Sequence, residues 1–237
     1  MNSENIIEQN LKTINEKISQ AEIKSGRKNG SVKLLAVSKF HPQEAVLQAI
    51  NGGQLLFGEN RVQEAFQKFP DILNQNPSVQ LHLIGQLQSN KVKKAVSIAS
   101  CIQSVDRPSL IEEIEKQCAL QNREIKILLE YHTGEESKSG FTSENELNTV
   151  LENFSNKLYP HIIPVGFMTM APFTSEEKVI RKSFITLREL KEKAQKNFPD
   201  LALTELSMGM SGDFEIAIEE GSTMVRIGTA IFGERQY

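Results

Sequence analysis

Short apolar runs and longer amphipathic stretches alternate along this chain in a regular rhythm. The runs are KLLAVSK (33–39), QLLFGEN (54–60), QLHLIGQ (80–86), CIQSVD (101–106), KILLEYH (126–132), IIPVGFM (162–168), TELSMGM (204–210) and TMVRIGT (223–229). Each is bounded by polar or turn-forming residues, the pattern of a buried strand. Between them lie stretches with helical spacing, over 41–53, 61–75, 90–100, 107–122, 142–156, 174–195 and 213–221. Pro42, Pro108 and the pair Thr142 and Ser143 stand where such helices start. Ahead of the first run, Ile6, Ile7, Leu11, Ile14, Ile18 and Ala21 recur at helical intervals and Gly26 follows as a stop. Residues 1–26 are therefore predicted to form an amphipathic helix packed on the body.

Eight strands alternating with helices in a chain of 237 residues is the sequence form of an α/β protein of the (β/α)8 TIM-type barrel class, here with an extra N-terminal helix. A doubly wound open sheet is the alternative, because periodicity does not show whether the last strand closes on the first. No Ser/Gly/Pro-rich linker divides the chain and it has no close internal repeat, so residues 1–237 are expected to form a single domain.

Composition narrows the function classes. The chain is 39% hydrophobic and 24% charged, with a formal net charge of -3 and no block of like charge. No strong attraction to nucleic acid or membranes is expected. Cys101 and Cys118 form neither a CxxC redox pair nor a zinc pattern, which fits a reducing, cytoplasmic home. The N-terminal stretch is charged throughout and lacks the apolar core of a signal peptide. No run approaches the roughly 18 apolar residues of a membrane span.

In either architecture function gathers beyond the carboxyl ends of the strands. There the first run ends in Lys39. A lysine amine attacks an aldehyde only when neutral, and partial burial at a barrel mouth disfavours its charge; the plainer alternative is a snorkelling side chain. At the last two strands, LSMGMSGD supplies Ser207, Gly209, Ser211 and Gly212, and VRIGT supplies Gly228 and Thr229. Glycine backbones and hydroxyls of this kind cradle anions, and barrels place their phosphate sites after strands 7 and 8. A lysine on strand 1 beside such a cradle points to a phosphorylated aldehyde, with pyridoxal 5'-phosphate (PLP) the obvious candidate. Arg226, two residues before Gly228, falls on the same side of its strand. It is either a salt bridge between barrel and helix layers or a contact to the cofactor ring that keeps the pyridine nitrogen unprotonated. His82 reads as a packed core residue, His132 as a polar strand-end group and His41 as part of a helix start; they make no metal set.

The segments LLAVSK, FGENRVQE, HLIGQLQSNK, SVD, GEESKSGF, GFMTMAP and LSMGMSGDFEIAIEEGSTMVRIGTAIFG together resemble the pyridoxal phosphate homeostasis protein family, over Lys33 to Gly233. The resemblance implies a barrel similar to the N-terminal domain of alanine racemase, with PLP held as a Schiff base on Lys39. It also implies phosphate contacts from Ser207, Gly209, Ser211, Gly228 and Thr229, with Asn60 and Arg226 lining the site. One departure is visible: Glu130, Tyr131 and His132 stand where the family reads a sequence such as QVN. Similar proteins hold and deliver PLP without an established catalytic reaction, so PLP-dependent apo-enzymes are the expected recipients and a monomer or weak homodimer the expected state.

The rival is an amino-acid racemase or another PLP-dependent enzyme. Racemases of the alanine type draw a second acid/base group, a tyrosine, from a following β-domain of the partner subunit, whereas this sequence stops at Tyr237, soon after Gly233. The tyrosines here are Tyr131, Tyr159 and Tyr237, and Tyr131 reads as a packed aromatic. A protein-interaction module that keeps the barrel as scaffold is a third reading. Lys91, Lys93, Lys94 and Lys138 are candidates for a second PLP-holding lysine, with solvation their default role.

Overall fold

Eight parallel strands close on themselves in chain order in the computed structural model of the protein, which describes residues 6–134 and 139–234. They are β1 (Lys33–Val37), β2 (Leu56–Glu59), β3 (Gln80–Leu83), β4 (Cys101–Val105), β5 (Ile125–Glu130), β6 (Ile162–Met168), β7 (Glu205–Ser207) and β8 (Met224–Ile227). The described helices are α1 (Ile6–Lys24), α2 (Gln43–Asn51), α3 (Val62–Lys68), α4 (Pro70–Gln75), α5 (Val92–Ile98), α6 (Pro108–Gln121), α7 (Glu144–Ser155), α8 (Glu177–Asn197), α9 (Phe214–Glu219) and α10 (Thr229–Phe232). β1 pairs with β2 on one side and with β8 on the other, in the register Lys33 to Met224 through Ala36 to Ile227. The barrel is therefore closed and the open sheet is excluded.

Local chemistry explains where the elements differ from the sequence expectation. The stretch 61–75 is two helices, because Pro70 has no N–H to bond to the Phe66 carbonyl; α3 stops at Lys68 and Pro70 takes the first position of α4. β1 ends at Val37, so Lys39 lies two residues beyond its strand, and Thr229 starts α10 instead of ending β8. Ser143 caps α7, its Oγ accepting the Glu146 N–H at 3.4 Å.

Alternation along the strands builds two cores. Leu34, Ala36, Phe57, Leu81 and Leu83 pack outward beneath the helices, while Leu35, Val37 and Met224 form a small cluster inside the barrel. The N-terminal helix, described from Ile6, buries Leu11, Ile14 and Ile18 against α2, α9 and α10. Its end is tied to β1 by buried Glu22, which accepts from the backbone N–H of Gly30 and Val32 and from Ser31 Oγ. Among the described residues no helix is long and apolar enough to cross a membrane.

The barrel interior is not purely aliphatic. Gln103 on β4 reaches across to Ser207, whose Oγ donates to Gln103 Oε1 at 2.6 Å, and its Nε2 lies 2.7 Å from His82 Nδ1. An amide nitrogen can only donate, so His82 accepts at Nδ1 and carries its proton on Nε2. Burial, aided by the charges of Lys33 and Lys126, pushes its pKa down to about 3. The unfolded chain takes up a proton near pH 6.5 that the folded chain refuses down to about 3, so stability falls with acid across that window. Between pH 6.5 and 4.5 the wild type should lose about 2 to 3 kcal/mol more than His82→Asn, which keeps an acceptor but does not titrate. Urea melts at the two pH values measure this, and parallel losses in both proteins would refute it.

Candidate functional site

Lys39 stands at the barrel mouth, in the turn two residues past the inward-facing Val37. It lines a cavity of about 540 Å³ at the carboxyl ends of the strands. Asn60 after β2, Ile84 to Gln86 after β3, Glu130 at the end of β5 and Met170 after β6 form much of its wall. Met210, Ser211 and Gly212 enter from the loop after β7, and Arg226, Gly228 and Thr229 from β8 and the turn that follows it.

Arg226 is buried, 4% exposed, on the inward side of β8. Its NH1 donates to the Ser207 carbonyl at 2.7 Å and to Ser207 Oγ at 2.8 Å, and its NH2 donates to the Thr169 carbonyl at 2.8 Å. These partners lie within the barrel, so the arginine does not bridge barrel and helix layers. Burial pushes its pKa down to about 10, opposed by the negative charges of Asp213 and Glu130, so it remains a cation at neutral pH. Its hydrogen bonds fix the guanidinium plane while leaving it on the cavity wall.

The glycines of the cradle divide. At Gly228 a Cβ would stand 3.0 Å from the Val37 carbonyl oxygen, so a side chain there would crowd β1 just before Lys39. Gly209 has φ +97 and a Cβ there would meet the Ala217 Cβ at 2.6 Å; it lets the loop close onto α9 and does not line the cavity. Ser207 is fully buried and does not line it either: its hydroxyl is engaged by Arg226 and Gln103. Asp213, at the N-cap of α9, uses Oδ1 to accept the Met210 N–H at 2.5 Å and so shapes the loop; burial pushes its carboxyl pKa up.

The remaining polar candidates separate clearly. Neither Tyr131 nor Tyr159 lines the cavity: Tyr131 packs against the main core, and Tyr159 sits edge-on to Phe154 with ring centroids 5.1 Å apart. His132 is likewise off the cavity, its backbone N–H donating to the Phe141 carbonyl at 3.0 Å. Lys91 ends a short 3-10 turn (Ser89–Lys91) and Lys93 and Lys94 lie on α5, with Lys94 over the Phe66 ring, and none reaches the cavity. Lys138 and Tyr237 lie outside the described residues. Polar cavity groups that sequence patterning did not assign to the site include Gln86 and Ser139, as well as His41 and Glu130. His41, which precedes α2, lines the cavity. So does Glu130, 2% exposed, whose Oε2 accepts from Ser139 Oγ at 3.1 Å. The signal for Glu130 was its parity with Lys126 and Leu128 on β5.

This arrangement has the parts that a phosphorylated aldehyde requires. It offers an amine, a fixed cation, a side-chain-free approach at Gly228, and hydroxyls at Ser211 and Thr229 around one cavity. The family model for the alanine racemase N-terminal domain matches residues 7–236. A pyridoxal phosphate homeostasis protein of Aquifex aeolicus is 40% identical over 229 residues, covering 96% of this chain and 97% of that protein. The solved structure of PipY from Synechococcus elongatus with PLP bound superposes with a TM-score of 0.80 at 36% identity, covering 91% of this chain and all of that one. Alanine racemase from Corynebacterium glutamicum, 19% identical with a TM-score of 0.73, shares the fold over 98% of this chain and 62% of its own.

Proposed function

Because the chain belongs to the pyridoxal phosphate homeostasis protein family, we propose that it binds PLP in the barrel-mouth cavity and holds it covalently on Lys39 for cofactor homeostasis and delivery. The observation that carries this reading is the convergence of Lys39, Arg226, Gly228 and Thr229 on one cavity from the two strands that close the barrel. When bound, the cofactor supplies an electrophilic aldehyde. Lys39 Nζ is the amine that holds it. Gly228, Thr229 and Ser211 face its phosphate, with Gly228 admitting close approach. Arg226, held by Ser207 and Thr169, sits toward the ring and opposes protonation of the pyridine nitrogen. Asn60 forms part of the wall beside it.

A carrier is favoured over a racemase. Met210, Ser211, Gly212 and Thr229, all on the rim, are exposed, so among the described residues the mouth is open to water. Open access suits reversible loading and transfer better than carbanion chemistry, which needs water excluded. No described phenol faces Lys39 as a second acid/base group. PLP-dependent apo-enzymes are the proposed recipients, and a cytoplasmic setting fits two buried, unpaired cysteines.

The test is an absorption spectrum of purified protein loaded with PLP, before and after borohydride, followed by peptide mass mapping. A visible band that borohydride abolishes, with the pyridoxyl group on Lys39, is the expected result; the group on another lysine would overturn the assignment.

A further inference from the structure

A second lysine stands behind the first, on the far side of the chain from the cavity. Lys68, at the end of α3, is only 7% exposed although charged. Its Nζ donates to the Ser38 carbonyl at 2.8 Å, to Glu59 Oε1 at 2.7 Å and to Glu64 Oε1 at 3.0 Å. Ser38 Oγ also donates to Glu59 Oε1, and Glu64 Oε1 accepts the Phe40 N–H at 2.6 Å. The carbonyl just before Lys39 and the amide just after it are thus both tied to one cluster of charged groups.

That cluster is costly to bury. Glu59 is fully buried, its Oε2 has no hydrogen-bond partner among the described residues, and burial pushes its carboxyl pKa up. Phe40 adds backbone strain, with φ +66 in the left-handed region that bulky residues avoid. Strain of this kind persists where surrounding bonds over-determine it. Here the bond from Phe40 N–H to Glu64 does so, and Lys68 holds Glu64 in place. The cluster also fixes the end of β2, where Glu59 faces Lys68 and the next residue, Asn60, faces the cavity.

We propose that Lys68 is a positioning residue for Lys39: by bonding Ser38 directly and Phe40 through Glu64, it sets the turn that aims the Lys39 amine into the cavity. This rests on Lys39 being the residue that takes up PLP. Lys68 itself does not take up the cofactor, because its Nζ is spent on three acceptors on the opposite side of the turn.

Removing Lys68 alone would leave Glu59 as a buried, unpaired carboxylate, so the test uses Lys68→Met combined with Glu59→Gln, alongside Lys68→Arg. Two quantities are compared in full-length, cofactor-free protein of native circular dichroism. One is the affinity for pyridoxine 5'-phosphate, which has no aldehyde and cannot form the covalent bond. The other is the rate of borohydride-trappable PLP loading on Lys39. The double variant should bind pyridoxine 5'-phosphate within about twofold of wild type yet load PLP on the order of 10- to 100-fold more slowly, as expected for a misaimed reacting group. Lys68→Arg, which keeps the charge and several donors, should recover much of that rate. Loading at the wild-type rate in the double variant, or equal loss of loading and of pyridoxine 5'-phosphate binding, would overturn the proposal. Wild-type protein that traps no pyridoxyl group on Lys39 would instead overturn the reading beneath it, and this inference with it.

Discussion

Lys39→Ala should abolish the borohydride-sensitive visible band of the PLP-loaded protein and weaken retention of the cofactor about 100-fold, equivalent to ~2.7 kcal/mol. Gly228, Thr229, Ser211 and Arg226 still line the cavity in this variant, so residual binding through their proposed contacts to the phosphate and ring is expected. Because Lys39 is half-buried at the cavity wall, outside the packed core, its truncation should change folding stability by no more than about 0.5 kcal/mol. Spectra and equilibrium dialysis on the variant, with a melting curve as control, measure all three quantities. A variant that kept a reducible chromophore would show that another lysine holds the cofactor.

Arg226→Met should be the most destabilising change at the site. The guanidinium satisfies two buried carbonyls, of Ser207 and Thr169, and the Ser207 hydroxyl, which in turn orients Gln103. Methionine fills similar volume but donates nothing, so the Thr169 carbonyl loses its donor, the Ser207 carbonyl keeps only the Thr169 N–H at 3.2 Å, and the Ser207 hydroxyl keeps only its bond to Gln103. Such losses cost about 1 to 3 kcal/mol each before relaxation, and a net of about 3 kcal/mol is expected. For a chain of this size that lowers the melting temperature by roughly 6 to 12 °C. Arg226→Lys, which can reach some but not all of the acceptors, should fall between. Calorimetry of the cofactor-free proteins separates this from any effect on PLP binding, and an unchanged melting temperature would contradict the role assigned to these bonds.

Much of this was legible because strands obey a period of two. Counting by two joins Arg226 to Gly228, and Lys39 closes the first apolar run, which puts it beyond the carboxyl ends of the strands where function gathers. Closure was not legible, since no local pattern in 223–229 says what those residues pair with. Parity also misled at strand 7. Ser207 does face inward, but one layer below the mouth, where Arg226 and Gln103 engage it. Gly209 belongs to the loop closing on α9. Lys68 was illegible for a different reason. In an amphipathic stretch it reads as a solvated charge, and its burial depends on Glu59, nine residues earlier, and on a carbonyl thirty residues earlier.

The pairing of β1 with β8 bears on how the protein comes into being. Lys39 emerges early in synthesis, whereas Arg226, Gly228 and Thr229 emerge almost 190 residues later. Contacts so distant in sequence form late and slowly. An unfinished chain therefore carries Lys39 without Arg226, Gly228 and Thr229 beside it, and on the proposed reading stable uptake of the cofactor should coincide with the last strand closing the ring. If that reading holds, occupancy by PLP should count only those molecules that have completed folding.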